Sequence, residues 1–243
     1  MSPDRTFAIT TRIVIQIIRD HRSVALIIVA PVIVMSLVGF SFADQKDVFD
    51  GIAPALMAVF AMFFTFILTG VSFLRERSQG TLERLLTTPV GRMDILSGYL
   101  LGFLVFAVVQ SVVILGFTIF ALQVSYRGDL WQIFILLMIL TIVAVNLGIF
   151  VSTFAKNEFQ VVQFIPIVLA PQIFLSGVIL PVNQMPAYFQ MIARVLPLRY
   201  AVDGLRGIML DDQTLSDVGV EIAVLAGFAI IFLSLAAMTV RRT

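Results

Sequence analysis

The feature that most constrains this chain is a succession of apolar runs, at about residues 23–42, 53–74, 95–122, 133–154, 161–182 and 220–240. Each has about the 20 residues that a helix needs to cross a hydrocarbon core of roughly 30 Å. In lipid the backbone must satisfy its own hydrogen bonds, so the runs are read as helices. A soluble core could not hold them: 60% of the residues are hydrophobic, 13% are charged, and the mean hydropathy is +1.05. The sequence therefore predicts an all-α, polytopic membrane protein. Six transmembrane helices form one unit over residues 23–243, preceded by a separate helix over residues 1–22.

That first helix has Ser2 as its cap and Pro3 at its first position. Arg5, Arg12 and Arg19 recur every seven residues with Gln16 on the same stripe, while Phe7, Val14, Ile17 and Ile18 lie elsewhere around the wheel. A basic stripe opposite an apolar one predicts an amphipathic connecting helix lying in the membrane interface, with its arginines toward headgroups or solvent. A cleavable signal would place its charges ahead of one short apolar core, whereas here charge persists to Arg22.

The most charged interruption is RERSQGTLERLLTTPVGR, Arg75 to Arg92, between the second and third runs. Each charge at bilayer depth costs roughly 2.5 to 3.5 kcal/mol on insertion scales, so residues 75–94 form a loop in water. Gly80 and Pro89 bracket a segment in which Leu82, Leu85 and Leu86 recur at helical spacing, with Glu83 and Arg84 on the other side. This predicts a helix of about two turns ending near Thr87, because Thr88 precedes a proline. A helix so short needs a surface to dock on. The third run exceeds what a crossing requires and reads as tilted. Near its start Gly98 and Gly102 form a GxxxG, a spacing that admits a close neighbour and is also frequent by chance.

Residues 161–217 are less regular. Pro166, Pro171 and Pro181 are expected to interrupt the fifth run. Pro186 to Leu196 and Arg199 to Leu210 are two short helical patterns separated by Pro197, with Arg194, Arg199, Asp203 and Arg206 on their polar sides. Neither can cross. Over residues 183–217 they are either a pair lying on the surface or a re-entrant pair dipping into the outer leaflet; the re-entrant pair is the expectation carried forward.

Lysine and arginine are retained on the cytoplasmic side of short loops. With six spans, 11 of the 16 basic residues fall on the side of the termini and the central loop, and 5 on the other. Both termini are therefore expected in the cytoplasm.

A search for chemistry finds little. There is no cysteine, and the single histidine, His21, reads as a solvated interfacial side chain. No metal-ligand cluster, nucleophile constellation or phosphate-binding loop is present, so no catalytic or metal residue is expected and the chain carries no cofactor. A net charge of +1 argues against a nucleic-acid partner. The spans carry Thr65, Thr69, Gln110, Asn146, Gln163 and Gln172 but no ionisable residue at mid-depth; Glu221 stands at the outer end of the last. Carriers driven by ion gradients keep such groups at depth. Any pumping must draw its energy from outside the chain.

Glu76, Gly80, Thr81, Leu82, Glu83, Leu85, Leu86, Pro89, Val90 and Arg92, followed by Ile95-Leu96-Ser97-Gly98, resemble the cytoplasmic-loop signature of type-2 ATP-binding-cassette exporter permeases. A second match lies in Phe174-Leu175-Ser176-Gly177 with Pro181, Met185-Pro186, Pro197-Leu198 and Tyr200-Ala201-Val202-Asp203 to Leu205-Arg206-Gly207. The likeness covers essentially the whole chain, and Tyr99 departs from it by standing where many members carry a lysine. The resemblance implies an N-terminal connecting helix, six spans, a coupling helix in the first cytoplasmic loop and the outer re-entrant pair, with Pro181, Pro186, Pro197, Tyr200, Asp203 and Arg206 in that outer region. It further implies two permease subunits, a second copy or a paralogue, in the plasma (inner) membrane of a prokaryote. They work with two copies of a separate ATPase that binds ATP and magnesium. The expected cargo is a hydrophobic or amphipathic drug or lipid; export of a polysaccharide or glycolipid, or a non-transporting scaffold, are the alternatives. Phe60, Phe63, Phe64, Thr65 and Gln172 are the candidate pathway residues, although each phenylalanine also suits ordinary packing or lipid contact.

Overall fold

The computed structural model describes residues 3–81, 85 and 90–239, with the side chains of Arg22, Leu26 and Arg92 outside that description. Among the described residues every regular element is a helix. The long elements are α1 (Pro3–Arg19), α2 (His21–Ser41), α3 (Lys46–Ser78), α4 (Arg92–Gly116), α5 (Leu130–Ser152), α6 (Glu158–Leu175), α8 (Pro197–Leu210) and α9 (Gly219–Thr239), with a short α7 (Ala187–Ala193) before α8. A π-helical turn, Phe117–Ala121, extends α4, and a 3-10 turn, Val182–Gln184, precedes α7. Six helical stretches among the described residues are long and apolar enough to cross a membrane, matching the six runs of the sequence.

In α1, Thr6, Ile9, Ile13 and Ile17 are buried, three or four residues apart and hence on one face. That face rests on α4. A Cβ placed on Gly98 would lie 2.6 Å from Ile9 Cγ2, and one on Gly102 would lie 2.8 Å from Ile13 Cγ2. The GxxxG is thus the seat of α1, which also explains the length of the third run: the first turns of α4 are covered by protein. Arg12 departs from the expected outward stripe, for it turns inward to Glu76.

With 33 residues, α3 is about 50 Å long at 1.5 Å per residue. It starts at Lys46, seven residues earlier than its apolar run, because Asp47 in its first turn suits the positive end of the helix dipole. It pairs with α5 to form the centre of the bundle. A Cβ on Gly148 would lie 3.0 Å from the Phe66 carbonyl oxygen and 3.3 Å from the Gly70 nitrogen, so the two backbones touch there. Two thirds of the apolar windows of α3 and α5 are buried, 67% each, against 18% for α2, 22% for α6 and 11% for α9, which are peripheral.

Two differences concern the fifth run. Pro166 and Pro171 lie inside α6 without breaking it. The helix stops at Leu175, short of residue 182, where Gly177 takes a φ of +89° that favours glycine. The outer pair is also shorter at its first member, α7, which spans Ala187–Ala193.

Candidate coupling site and uncovered helix face

The last turn of α3 carries three consecutive charged residues, and each holds a different part of the chain. Arg75 Nη1 donates to Asp20 Oδ2 at 2.8 Å and its Nε to Glu158 Oε1 at 3.1 Å, joining the α1–α2 elbow to the start of α6. Glu76, only 3% exposed, accepts from Arg12 Nη2 and, at 2.7 Å, from the Tyr99 hydroxyl. Arg12 Nη2 also lies 2.9 Å from that hydroxyl, and the Tyr99 ring stands edge-on to Phe73. Arg77 Nη1 donates to the Thr153 carbonyl at 2.6 Å, just past α5. Tyr99, the departure from the family pattern, thus completes a buried group in which Arg12 supplies the positive charge.

Beyond this turn the chain reverses. Gln79 N–H donates to the Arg75 carbonyl and Gly80, at φ +68°, donates to the Arg77 carbonyl at 3.1 Å, a glycine-dependent helix stop. Of the predicted coupling residues, Thr81 and Leu85 have helical backbone and are half-buried; Leu82, Glu83, Leu86 and Pro89 lie outside the described residues. Leu85 and Val90 pack on a cluster of this chain's own residues that includes Ile9, Ile95, Leu96 and Tyr99. The loop closes on α4, where buried Asp94 accepts the Gly91 N–H at 3.1 Å and Arg92 begins the helix.

Among the pathway candidates, Thr65 donates to Gln110 Oε1 at 3.2 Å, and Gln110 Nε2 donates to the Phe60 and Ala61 carbonyls at 3.1 and 3.3 Å. Phe60, Phe63 and Phe64 form a run of ring contacts along α3, with only Phe64 fully buried. Gln172 is buried, and its Oε1 accepts the Leu198 N–H at 3.4 Å, capping the first turn of α8.

In the outer region Pro197 begins α8 and Pro186 precedes α7, while the Tyr200 hydroxyl donates to the Arg194 carbonyl at 2.8 Å across the turn between them. Pro181 caps the 3-10 turn. One face of α8 is fully buried against α3, α5, α6 and α9, and its last carbonyls, Ile208 and Met209, accept N–H groups of Gly128 and Arg127 at 3.1 and 2.9 Å. Burial raises the Asp203 carboxyl above its ordinary value, against the lowering effect of Arg199 at 3.4 Å and of Arg206. Burial also lowers the Arg206 guanidinium.

A stripe on α6 escaped the site reading. Phe159, Val162, Gln163, Pro166, Ile167, Pro171 and Phe174 are all exposed, following helical spacing down one side. Pro166 and Pro171 have no N–H to give to the carbonyls of Val162 and Ile167, and Gln163 stands exposed on the same apolar face. Prolines spaced along a run, with glutamine on their side of the helix, were the available signal. Among the described residues no three His, Asp or Glu side chains converge as metal ligands.

Six helices among the described residues, long and apolar enough to cross a membrane and packed around α3 and α5, define a polytopic integral membrane protein. The chain belongs to the ABC-2 type transporter family, whose match covers residues 4–210. It is 30% identical over 164 residues to the Probable multidrug ABC transporter permease YbhR of Escherichia coli K12, covering 68% of this chain and 45% of that protein. To YbhS of the same organism, likewise named a probable multidrug ABC transporter permease, it is 27% identical over 192 residues, 79% of this chain and 51% of that one. Nodulation protein J of Rhizobium meliloti is 33% identical over 181 residues, 73% of this chain and 67% of that protein. The chain spans about half the length of the Escherichia coli relatives.

Proposed function

We propose that this chain is the membrane-spanning permease subunit of an ATP-driven exporter that moves a hydrophobic or amphipathic compound, energised by a separate ATPase that carries ATP and magnesium. The observation that carries this reading is the grip of Arg75, Glu76 and Arg77. A push on the loop after Gly80 reaches a long central helix whose end is tied to α1, α4, α6 and the end of α5. Force applied there moves a connected unit, as coupling requires.

In this reading residues 80–92 dock on the ATPase with Leu82 and Leu86 as its apolar contact, and Leu85 anchors the loop on its own subunit. Two ATPase copies serve two permease copies, and both termini face the cytoplasm of a prokaryotic cell across its plasma membrane. Pro186 to Leu210 forms the re-entrant pair; support comes from Tyr200, which packs on Phe228, nine residues into α9 and so about 13 Å along that helix. The open face of α6, with Gln163, lines the pathway between the permease copies beside Phe60 and Phe63. The names of the relatives favour multidrug-type cargo.

The test is ATP hydrolysis by the complex reconstituted in liposomes, stimulated by a panel of lipids, drugs and glycans. Stimulation by amphipathic drugs or lipids, lost in Leu86→Asp with the permease still inserted, is the expected result. Stimulation by glycans alone would move the cargo to the polysaccharide class, and no association with any ATPase would leave a scaffold.

A further inference from the structure

Among the arginines with described side chains, Arg12, Arg75, Arg77, Arg199 and Arg206 are partly buried. The first four are spent on acceptors of this chain: Arg12 on Glu76, Arg75 on Asp20 and Glu158, Arg77 on the Thr153 carbonyl and Arg199 on Asp203. Arg206 is the exception. Among the described residues its guanidinium has no hydrogen bond, ion pair or ring partner. Asp203, on the preceding turn of α8, is held by Arg199 at 3.4 Å and reaches Arg206 only through space. Burial therefore costs Arg206 hydration that no acceptor of the chain returns, and a guanidinium does not escape by losing its proton. The side chain reaches across to the turn that ends α6: a Cβ on Gly177 would lie 3.5 Å from Arg206 Nη1 and 3.5 Å from Val182 Cγ2. Phe174, just before that turn, and Ile179 and Leu180, just after Gly177, are exposed. An uncommitted cation thus stands against a turn flanked on both sides by exposed apolar side chains.

We propose that Arg206 recognises an anionic group, and that the amphipathic cargo of the preceding reading, on which this inference rests, carries a carboxylate or phosphate that Arg206 takes at the far end of the bundle. The planar fork of the guanidinium suits the paired oxygens of such a group, and a charge pair formed partly out of water is stronger than one on an open surface. Phe174, Ile179 and Leu180 give the apolar body of the same molecule a surface to rest on. A cationic or neutral compound leaves Arg206 unpaired, so the site discriminates by charge.

The experiment is equilibrium dialysis of labelled hexyl phosphate, a water-soluble amphipathic anion, against the purified permease in phosphatidylcholine nanodiscs, with empty nanodiscs subtracted. Saturable binding is expected, displaced by hexanoate and not by hexyltrimethylammonium or hexanol. Arg206→Gln is expected to weaken it about tenfold or more, and Arg206→Lys, which keeps the charge and loses the fork, to a smaller extent. Arg194→Gln, at an exposed arginine of the same region, is expected to leave it unchanged. Binding unchanged in Arg206→Gln, or weakened equally by Arg194→Gln, would overturn the proposal. So would a permease dimer that dissociates on Arg206→Gln, because the acceptor would then belong to a second copy. Should Arg206→Gln fail to fold, Arg206→Lys decides, and an unchanged affinity there overturns the assignment. In the complex with its ATPase, hexyl phosphate is expected to stimulate hydrolysis by the wild type and not by Arg206→Gln. Binding without stimulation, where other compounds do stimulate, would make the anion a resident ligand and overturn its identification as cargo. No stimulation by any compound would overturn the transport reading and the cargo with it, while the dialysis still decides whether Arg206 holds an anion.

Discussion

The two ends of the bundle are held together by different physics. At the end carrying the termini, charged side chains reach across elements: Arg75 to Asp20 and Glu158, Arg12 to Glu76, Arg77 to a carbonyl. At the far end α8 is fixed by apolar packing and by backbone groups that satisfy helix ends, with Gln172 at its start and residues 127 and 128 at its finish. Ionic grips are long, few and sensitive to loss of one partner. Packed helix ends share their load over many small contacts.

The largest effect is expected from Glu76→Ala. It leaves the Arg12 guanidinium, about a third exposed, and the buried Tyr99 hydroxyl without the carboxylate they share, at a cost of roughly 2 to 3 kcal/mol. A lowered melting temperature of the purified permease checks it, and an unchanged one would mean that the group is held elsewhere. Gly98→Ala comes next. Its methyl group would fall 2.6 Å from Ile9, so α1 must lift, at a cost of about 2 kcal/mol; faster amide exchange across residues 6–17 is the readout.

At the far end the expected effects are smaller. Gln172→Leu removes one cap from α8 and costs about 1 kcal/mol, seen as faster exchange of the Leu198 amide while the terminal end is unaffected. Equal loosening of both ends would dissolve the contrast. The smallest effect is a pH response. The Asp203 carboxyl is raised by burial, so its contribution favours the fold most below the ordinary value of 3.8 and is lost as pH rises through the higher folded value. Asp217 has the opposite sign: the Thr214 amide and hydroxyl lower it, and the turn they form weakens as pH falls through that lowered value. On acidification, protection of α8 should rise as that of the 214–217 turn declines, and Asp203→Asn should remove the first change alone.

The number of spans and the charged loop were legible because insertion into lipid punishes charge strongly enough for composition to record it. Arg12 was misread for a physical reason. A seven-residue basic repeat identifies one side of a helix, but α1 is covered by α4 and by the end of α3, and only the three-dimensional partners decide which arginine turns inward. Gly98 and Gly102 were visible as a spacing, yet the helix that fills them lies almost ninety residues earlier in the chain. The prolines of α6 gave the opposite error. They were expected to interrupt the run, but the helix continues through Pro166 and Pro171 and leaves both exposed on its open side.

The contact between Gly70 and Gly148 sets a mechanical condition. With no side chain between the two backbones, α3 cannot slide along α5 without parting them, so the pair moves as one beam. A rearrangement that keeps this contact is then a shear at its outer surfaces, where the lightly buried α2, α6 and α9 lie against that beam.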